Sequence, residues 1–203
     1  MWKSRIDEPY VKHTCVRICQ GDILRDIKFR IVYPSTDPAK ENIKEIFFPY
    51  VIILSQDCDL KNSSRPPKSG KEALPGGVLI KNQFLPNVLF APAFPIDLIA
   101  SGDHFKEVFG LCQEVISSDR KKRIRQNQDD RYHFLGTFQQ LQIPDLVIDF
   151  KAYFTLPIET ISSLHATHYQ ATLSELFRER LNQRFANYFS RIGLPELYPP
   201  TPL

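Results

Sequence analysis

Apolar positions in this chain cluster in short, β-branched and aromatic runs, and only two stretches carry a helical spacing. Phe47 to Leu54 is the strongest strand signal, because its unbroken apolar run suits a strand buried on both faces. Ile18, Ile23, Leu24, Ile27 and Phe29 predict an earlier strand broken by the turn-prone pair Gly21–Asp22. Residues 34–44 read as a loop and residues 61–77 as a long polar loop. Short strands are expected at Val78–Ile80 and Val88–Phe94, with Pro92 marking an edge or a bulge in the second. Further strands are expected at Tyr132–Leu135 and Leu146–Phe154.

Phe105, Val108, Phe109, Cys112, Val115 and Ile116 lie on one helical stripe. They predict a helix over His104–Ser117 with Asp103 as its N-cap. The charged run Asp119–Asp130 breaks that pattern. Leu173, Leu176, Phe177, Leu181, Phe185, Tyr188, Phe189 and Ile192 predict a long final helix. It would be opened by a Thr172/Glu175 capping box and closed by Gly193 and Pro195. The expected fold class is a β-rich α+β protein, an SH3-like barrel with an added mid-chain helix and a long C-terminal helix. It would form one domain over residues 1–203, with a barrel-like core at about 15–95 elaborated by 96–203.

Composition narrows this picture little. A 42% apolar and 12% aromatic chain of 203 residues can bury a core of its own. Net charge is +3, which permits a polyanionic partner without arguing for one. No run approaches the roughly 20 apolar residues that span a bilayer, so no membrane partner is expected. The N-terminus has no signal-peptide core, which makes the cytoplasm the default location. The four cysteines are then expected to be reduced.

The richest chemistry follows the strongest strand. Tyr50–Leu60 reads YVIILSQDCDL, an apolar strand ending in Ser55, Gln56, Asp57, Cys58 and Asp59. On an extended chain Asp57 and Asp59 share a face and could bind Mg²⁺ or divide acid and base roles, with Asp22 or Asp149 completing a cluster. An Asx-type turn capping the strand end is the commoner use of such residues. Cys58 sits between two acids that would oppose a thiolate, so a structural thiol is the simpler reading. Arg131 and His133 form a second polar strand end, able to move a proton and to stabilise a phosphodiester transition state. Lys121, Lys122, Arg123 and Arg125, with Arg120, are the candidate phosphate contacts, although such runs are usually solvated. Cys15 and Cys19, with His165 and His168, do not have zinc-finger spacing, so neither a metal nor another cofactor is expected.

Three fragments, QGDIL at 20–24, PYVIILS at 49–55 and LPNVLFAPAF at 85–94, resemble in order and spacing the barrel of the MazF/PemK toxin endoribonucleases. The resemblance covers residues 20–95. It implies an SH3-like barrel, usually dimeric, that cleaves single-stranded RNA without a metal. The family's Arg before the second strand is absent here, since Phe48 precedes Pro49, and its catalytic hydroxyl falls on Asn87. The whole chain resembles a bacterial protein group that pairs an SQ-x-CD strand end with a C-terminal helix. Three functions follow as expectations. The first is an RNA-interacting protein, as a metal-independent endoribonuclease, with Asp57, Cys58, Asp59, Arg131 and His133 across one groove. The second is a non-catalytic module of a bacterial defence or regulatory system that binds a protein partner or its own copy. The third is a Mg²⁺-dependent nuclease.

Overall fold

The computed structural model describes residues 8–14, 16–34, 41–64, 73–74, 78–79 and 84–190. The protein is α+β: a curled, half-barrel antiparallel sheet flanked by helices. The strands are β1 (Tyr10–Val11), β2 (Asp22–Pro34), β3 (Glu41–Ile53), β4 (Ala73–Leu74), β5 (Val78–Leu79), β6 (Asn87–Pro95), β7 (Tyr132–Leu135), β8 (Leu146–Asp149), β9 (Phe154–Pro157) and β10 (Tyr169–Leu173). The helices are α1 (Asp57–Ser64), α2 (Ile96–Ser101), α3 (Lys106–Phe109), α4 (Ser118–Arg125), α5 (Ile158–His168) and α6 (Glu175–Phe189). The main sheet runs β1-β10-β2-β3-β6-β8-β7, and β9 also pairs with β6. β4 and β5 form a separate hairpin. Strands from both halves of the chain therefore build one sheet.

The unbroken apolar run of β3 is explained by burial of both sheet faces. Leu24, Val51, Ile53, Val88, Phe90 and Phe94 point into one core layer, covered by α2, α3 and α5 through Ile99, Val108 and Ile161. Their neighbours Ile23, Ile52, Ala91 and Ala93 point into the other, where Leu181, Phe177 and Phe185 of α6 cover them. The period of two along a strand puts successive side chains into opposite layers. α6 is thus the lid of one layer, as its apolar stripe predicts.

Several sequence expectations change, each for a local reason. The helix expected at His104–Ser117 is reduced to α3, because Gly110 adopts the left-handed conformation and donates to the Lys106 carbonyl, ending the helix after one turn. The charged run that follows is helical: the Ser117 side chain accepts from the Arg120 N–H, and Ile124 is buried. Leu146–Phe154 is two strands, since Asp149 accepts from the Lys151 N–H at 3.0 Å and turns the chain. Residues 57–64 are α1, held by burial of Leu60, which contributes about 1.5–3 kcal/mol to an otherwise polar helix. Residues 41–44 belong to β3. α6 starts from Ser174, and Thr172 lies in β10. α5 and β10 had no clear sequence signal. The stop at Gly193 and Pro195, and most of the 61–77 loop, lie outside the described residues.

Candidate functional site

Among the described residues two carboxylates, Asp22 and Asp149, are fully buried, and each organises a polar centre. The first is Asp22, the opening residue of β2, just after Gly21. Gly21 has a positive φ of +87°, and a Cβ there would meet Arg178 and Leu173 at 3.2–3.3 Å. Glycine is what lets the chain reverse into β2 while its N–H bonds Ile53 and its carbonyl accepts from Leu173. That reversal delivers Asp22 between β3 and β10, and the β2–β10 register sets Thr172 directly opposite it.

Four donors converge on the Asp22 carboxylate. His13 Nε2 lies 2.9 Å from Oδ1 and His165 Nε2 lies 2.9 Å from Oδ2. Thr172 Oγ1 donates to Oδ1 at 2.5 Å, and the Cys19 N–H donates to Oδ2 at 2.7 Å. Tyr169 Oη is 2.9 Å from Thr172 Oγ1 and accepts from the His13 N–H at 3.2 Å. Because the carboxylate can only accept, each neutral imidazole carries its proton on Nε2 and turns the Nδ1 acceptor elsewhere. Burial alone would push the Asp22 carboxyl up; the bonds from His165, Thr172, Cys19 and His13 outweigh it and hold it below the ordinary carboxylate range. The His13 side chain keeps 21% of its exposure, against 8% for His165 and none for Asp22, so the centre meets solvent through His13.

The loop leading into Asp22 also holds the strand end that stood out in the sequence. Arg17 grips Asp57 with both terminal nitrogens, at 2.9 and 2.8 Å, and the Gln20 N–H donates to Asp57 at 3.3 Å. Gln20 Nε2 bonds the Leu54 carbonyl at 3.0 Å. The Arg17 hydrogen bonds hold the Asp57 carboxyl below its usual range. Asp57 and Asp59 are in the first turn of α1, so they are not placed by strand alternation. The Cys58 thiol is exposed, with Gln56 and Asp59 as its hydrogen-bond partners. A cavity of about 450 Å³ opens beside this loop, lined by Arg17, Ile18, Leu60, Ser63, Phe84 and Ser162 among others.

The second buried centre surrounds Asp149, at the end of β8. Arg131 donates to it through Nε at 2.8 Å and Nη2 at 2.5 Å, and His104 Nε2 lies 3.3 Å away. Burial pushes the Asp149 carboxyl up, but Arg131 and His104 outweigh it and hold it low. A bidentate arginine, with His104 and the Lys151 N–H, occupies this carboxylate, which makes it a clamp between the start of β7, the end of β8 and the α2–α3 connection.

His133 lies on β7 and is buried, and its Nδ1 has no partner among the described residues. Burial, reinforced by Arg184 and Arg180, lowers its pKa to about 3. Among the described residues no hydrogen bond or ion pair joins Asp57, Cys58 or Asp59 to Arg131 or His133. The two polar strand ends that alternation singled out belong to different neighbourhoods: the first to the Arg17 loop, the second to the Asp149 clamp and α6.

One prediction follows for His133. It is neutral when folded and ordinary when unfolded, so the unfolded chain binds the extra proton between about pH 6.5 and 3. Stability should fall as pH drops below about 6.5, by about 2 kcal/mol at pH 5 from this residue alone. His133→Leu should flatten that acid slope in chemical denaturation measured at pH 7 and pH 5, with little change at pH 7. An unchanged slope would show that His133 charges without penalty.

Of the basic run, Lys121 pairs with Asp97 at 3.0 Å and Arg125 with Asp145 at 2.6 Å, while neighbouring Arg120 pairs with Asp129 at 2.9 Å. Three of the five cations thus have carboxylate partners, and among the described residues no such pair is formed by Lys122 or Arg123. No protein-family model and no curated protein matches the chain.

The Asp22 centre was not visible in the sequence. His13, Asp22, His165 and Thr172 are separated by up to 159 positions and share no motif. The sequence reading sets His165 and His168 aside for lack of zinc-finger spacing; the structure pairs His165 with Asp22, while His168 Nδ1 bonds the Arg25 carbonyl at 2.8 Å. The one usable signal was Gly21–Asp22, an acid at a turn-to-strand junction.

Proposed function

We propose that the protein cleaves a phosphodiester, with single-stranded RNA as the substrate class, and that the Asp22 centre carries the chemistry. The observation behind this reading is the pair of imidazoles, from segments 152 positions apart, held on one buried carboxylate at 2.9 Å each. RNA cleavage takes a proton from the ribose 2′-hydroxyl as its oxygen attacks phosphorus, and returns a proton to the departing 5′-oxygen as the P–O bond breaks. Two oriented imidazoles match that exchange, and His13 is the one that meets solvent. The curled antiparallel sheet is consistent with the barrel that the MazF/PemK-like fragments imply.

His13→Ala should lower cleavage of a mixed-sequence single-stranded RNA by about 100-fold or more, in the range a positioned acid or base contributes. His168→Ala should leave it unchanged. Equal cleavage by His13→Ala and wild type would remove the Asp22 centre from the chemistry.

A second reading is a non-catalytic module that binds a protein partner. The internal pairing of Arg120, Lys121 and Arg125 favours it, because phosphates would have to compete with carboxylates already in place. Absence of cleavage under all ionic conditions would select this second reading.

A further inference from the structure

We infer that His13, Asp22 and His165 form a binding site for a first-row transition-metal dication of the zinc, cobalt or manganese type. This rests on the reading of the Asp22 centre as the functional site; with an ion bound, His13 and His165 are its ligands, and the proton transfers assigned above to their rings pass to the water the ion holds.

One donor atom from each of the three residues lies within 4.8 Å of the other two. The two imidazole nitrogens stand 2.9 Å from the carboxylate oxygens they face. Two ligands bound at 2.0–2.1 Å with tetrahedral angles are about 3.3–3.4 Å apart, so each imidazole has to draw back from the carboxylate oxygen it faces by only a few tenths of an ångström for one ion to seat among them. Two imidazoles and one carboxylate suit zinc, manganese, iron, cobalt or nickel; magnesium and calcium prefer all-oxygen sets. Three protein ligands leave a position for water, which a bound dication makes acidic enough to act near neutral pH.

The surroundings are those of a supported ligand set. Thr172 and the Cys19 N–H hold the Asp22 carboxylate from behind, and Tyr169 holds Thr172. Second-layer hydrogen bonds of this kind orient metal ligands. The partly exposed His13 provides the entry path. When the ion enters, each neutral imidazole turns its Nε2 lone pair to the metal and carries its proton on Nδ1, so neither ring loses a proton. His13 and Asp22 come from the N-terminal part of the chain and His165 from α5, so the ion would tie those segments together.

The test uses the full chain, stripped with chelator and dialysed, titrated separately with Co²⁺, Zn²⁺ and Mn²⁺. Calorimetry reads the stoichiometry, and visible absorption reads the Co²⁺ ligand field. One ion per chain is expected, with His13→Ala and His165→Ala each weakening binding by more than about 100-fold, and Thr172→Val by about 10-fold. His168→Ala should bind as wild type. His13→Ala removes a partly exposed side chain, so it remains informative if His165→Ala does not fold. Failure of all three ions to bind stoichiometrically, or wild-type binding by His13→Ala, overturns the inference. Binding without RNA cleavage would keep the metal site and remove the nuclease reading. EDTA-resistant cleavage by a protein that takes up no ion would do the reverse.

Discussion

Asp22→Ala is expected to destabilise the protein by about 3–5 kcal/mol, enough to leave much of the chain unfolded at 37 °C. The side chain is fully buried and accepts from four donors on three segments, the β1–β2 connection, α5 and β10. Removing it strands two imidazole N–H groups, a hydroxyl and a backbone amide, each losing a partner worth about 1–3 kcal/mol when buried. Partial solvent access at His13 moderates the total. Asp22→Asn should cost less, about 1–2 kcal/mol, because one imidazole can move its proton to Nδ1 and accept from the new amide. Urea denaturation of the three proteins checks this order. An alanine variant as stable as the asparagine variant would contradict the four-donor arrangement. The pH dependence has a definite sign. The Asp22 carboxyl is held below its unfolded value, so its contribution is complete above about pH 4 and is lost as pH falls through the folded value. The wild type should therefore lose stability in that range faster than Asp22→Asn.

Asp149→Ala is expected to cost a similar amount, about 3–5 kcal/mol, by a different route. Here a charge is left behind: Arg131 is only 18% exposed and would keep its cation without a counter-ion. His104 would lose the partner of its Nε2, and its Nδ1 already has none. The paired substitution Arg131→Met with Asp149→Leu should recover much of the loss, since an apolar pair avoids the stranded charge. Denaturation midpoints of the two single variants and the double variant complete the cycle. Additive losses would show that the ion pair is not the clamp described.

The difference between these two centres explains how much the sequence disclosed. Tyr132–Leu135 and the β3 core were legible because alternation and unbroken apolar runs are local signals of burial. α6 was legible for the same reason. The helix at His104–Ser117 misled because Gly110 interrupts a correct apolar stripe, and a stripe does not reveal a left-handed residue. α4 was hidden by its charge, although Ser117 as its cap and one buried Ile124 suffice to place it. At the candidate site, Asp57 drew attention through its company, and the structure places it against Arg17, forty positions earlier. The Asp22 centre depends on the β2–β10 register and on the return of α5 toward the N-terminal segment. Those are properties of topology, which no local pattern carries. A buried aspartate needs partners, but the chain between Asp22 and His165 holds too many candidates to pick them by spacing.

The most direct measurement is two-dimensional imidazole NMR of the ¹⁵N-histidine-labelled, metal-free protein, in wild type and in Asp22→Asn. The chain has five histidines, so assignment by single substitutions is practical. The account predicts that His13 and His165 both appear as the Nε2–H tautomer when neutral, and that at least one of them changes tautomer in Asp22→Asn while His104, His133 and His168 keep theirs. If His13 and His165 show the mixed tautomers of free imidazole, or do not respond to Asp22→Asn, then the buried carboxylate does not organise them and the site proposed here does not exist.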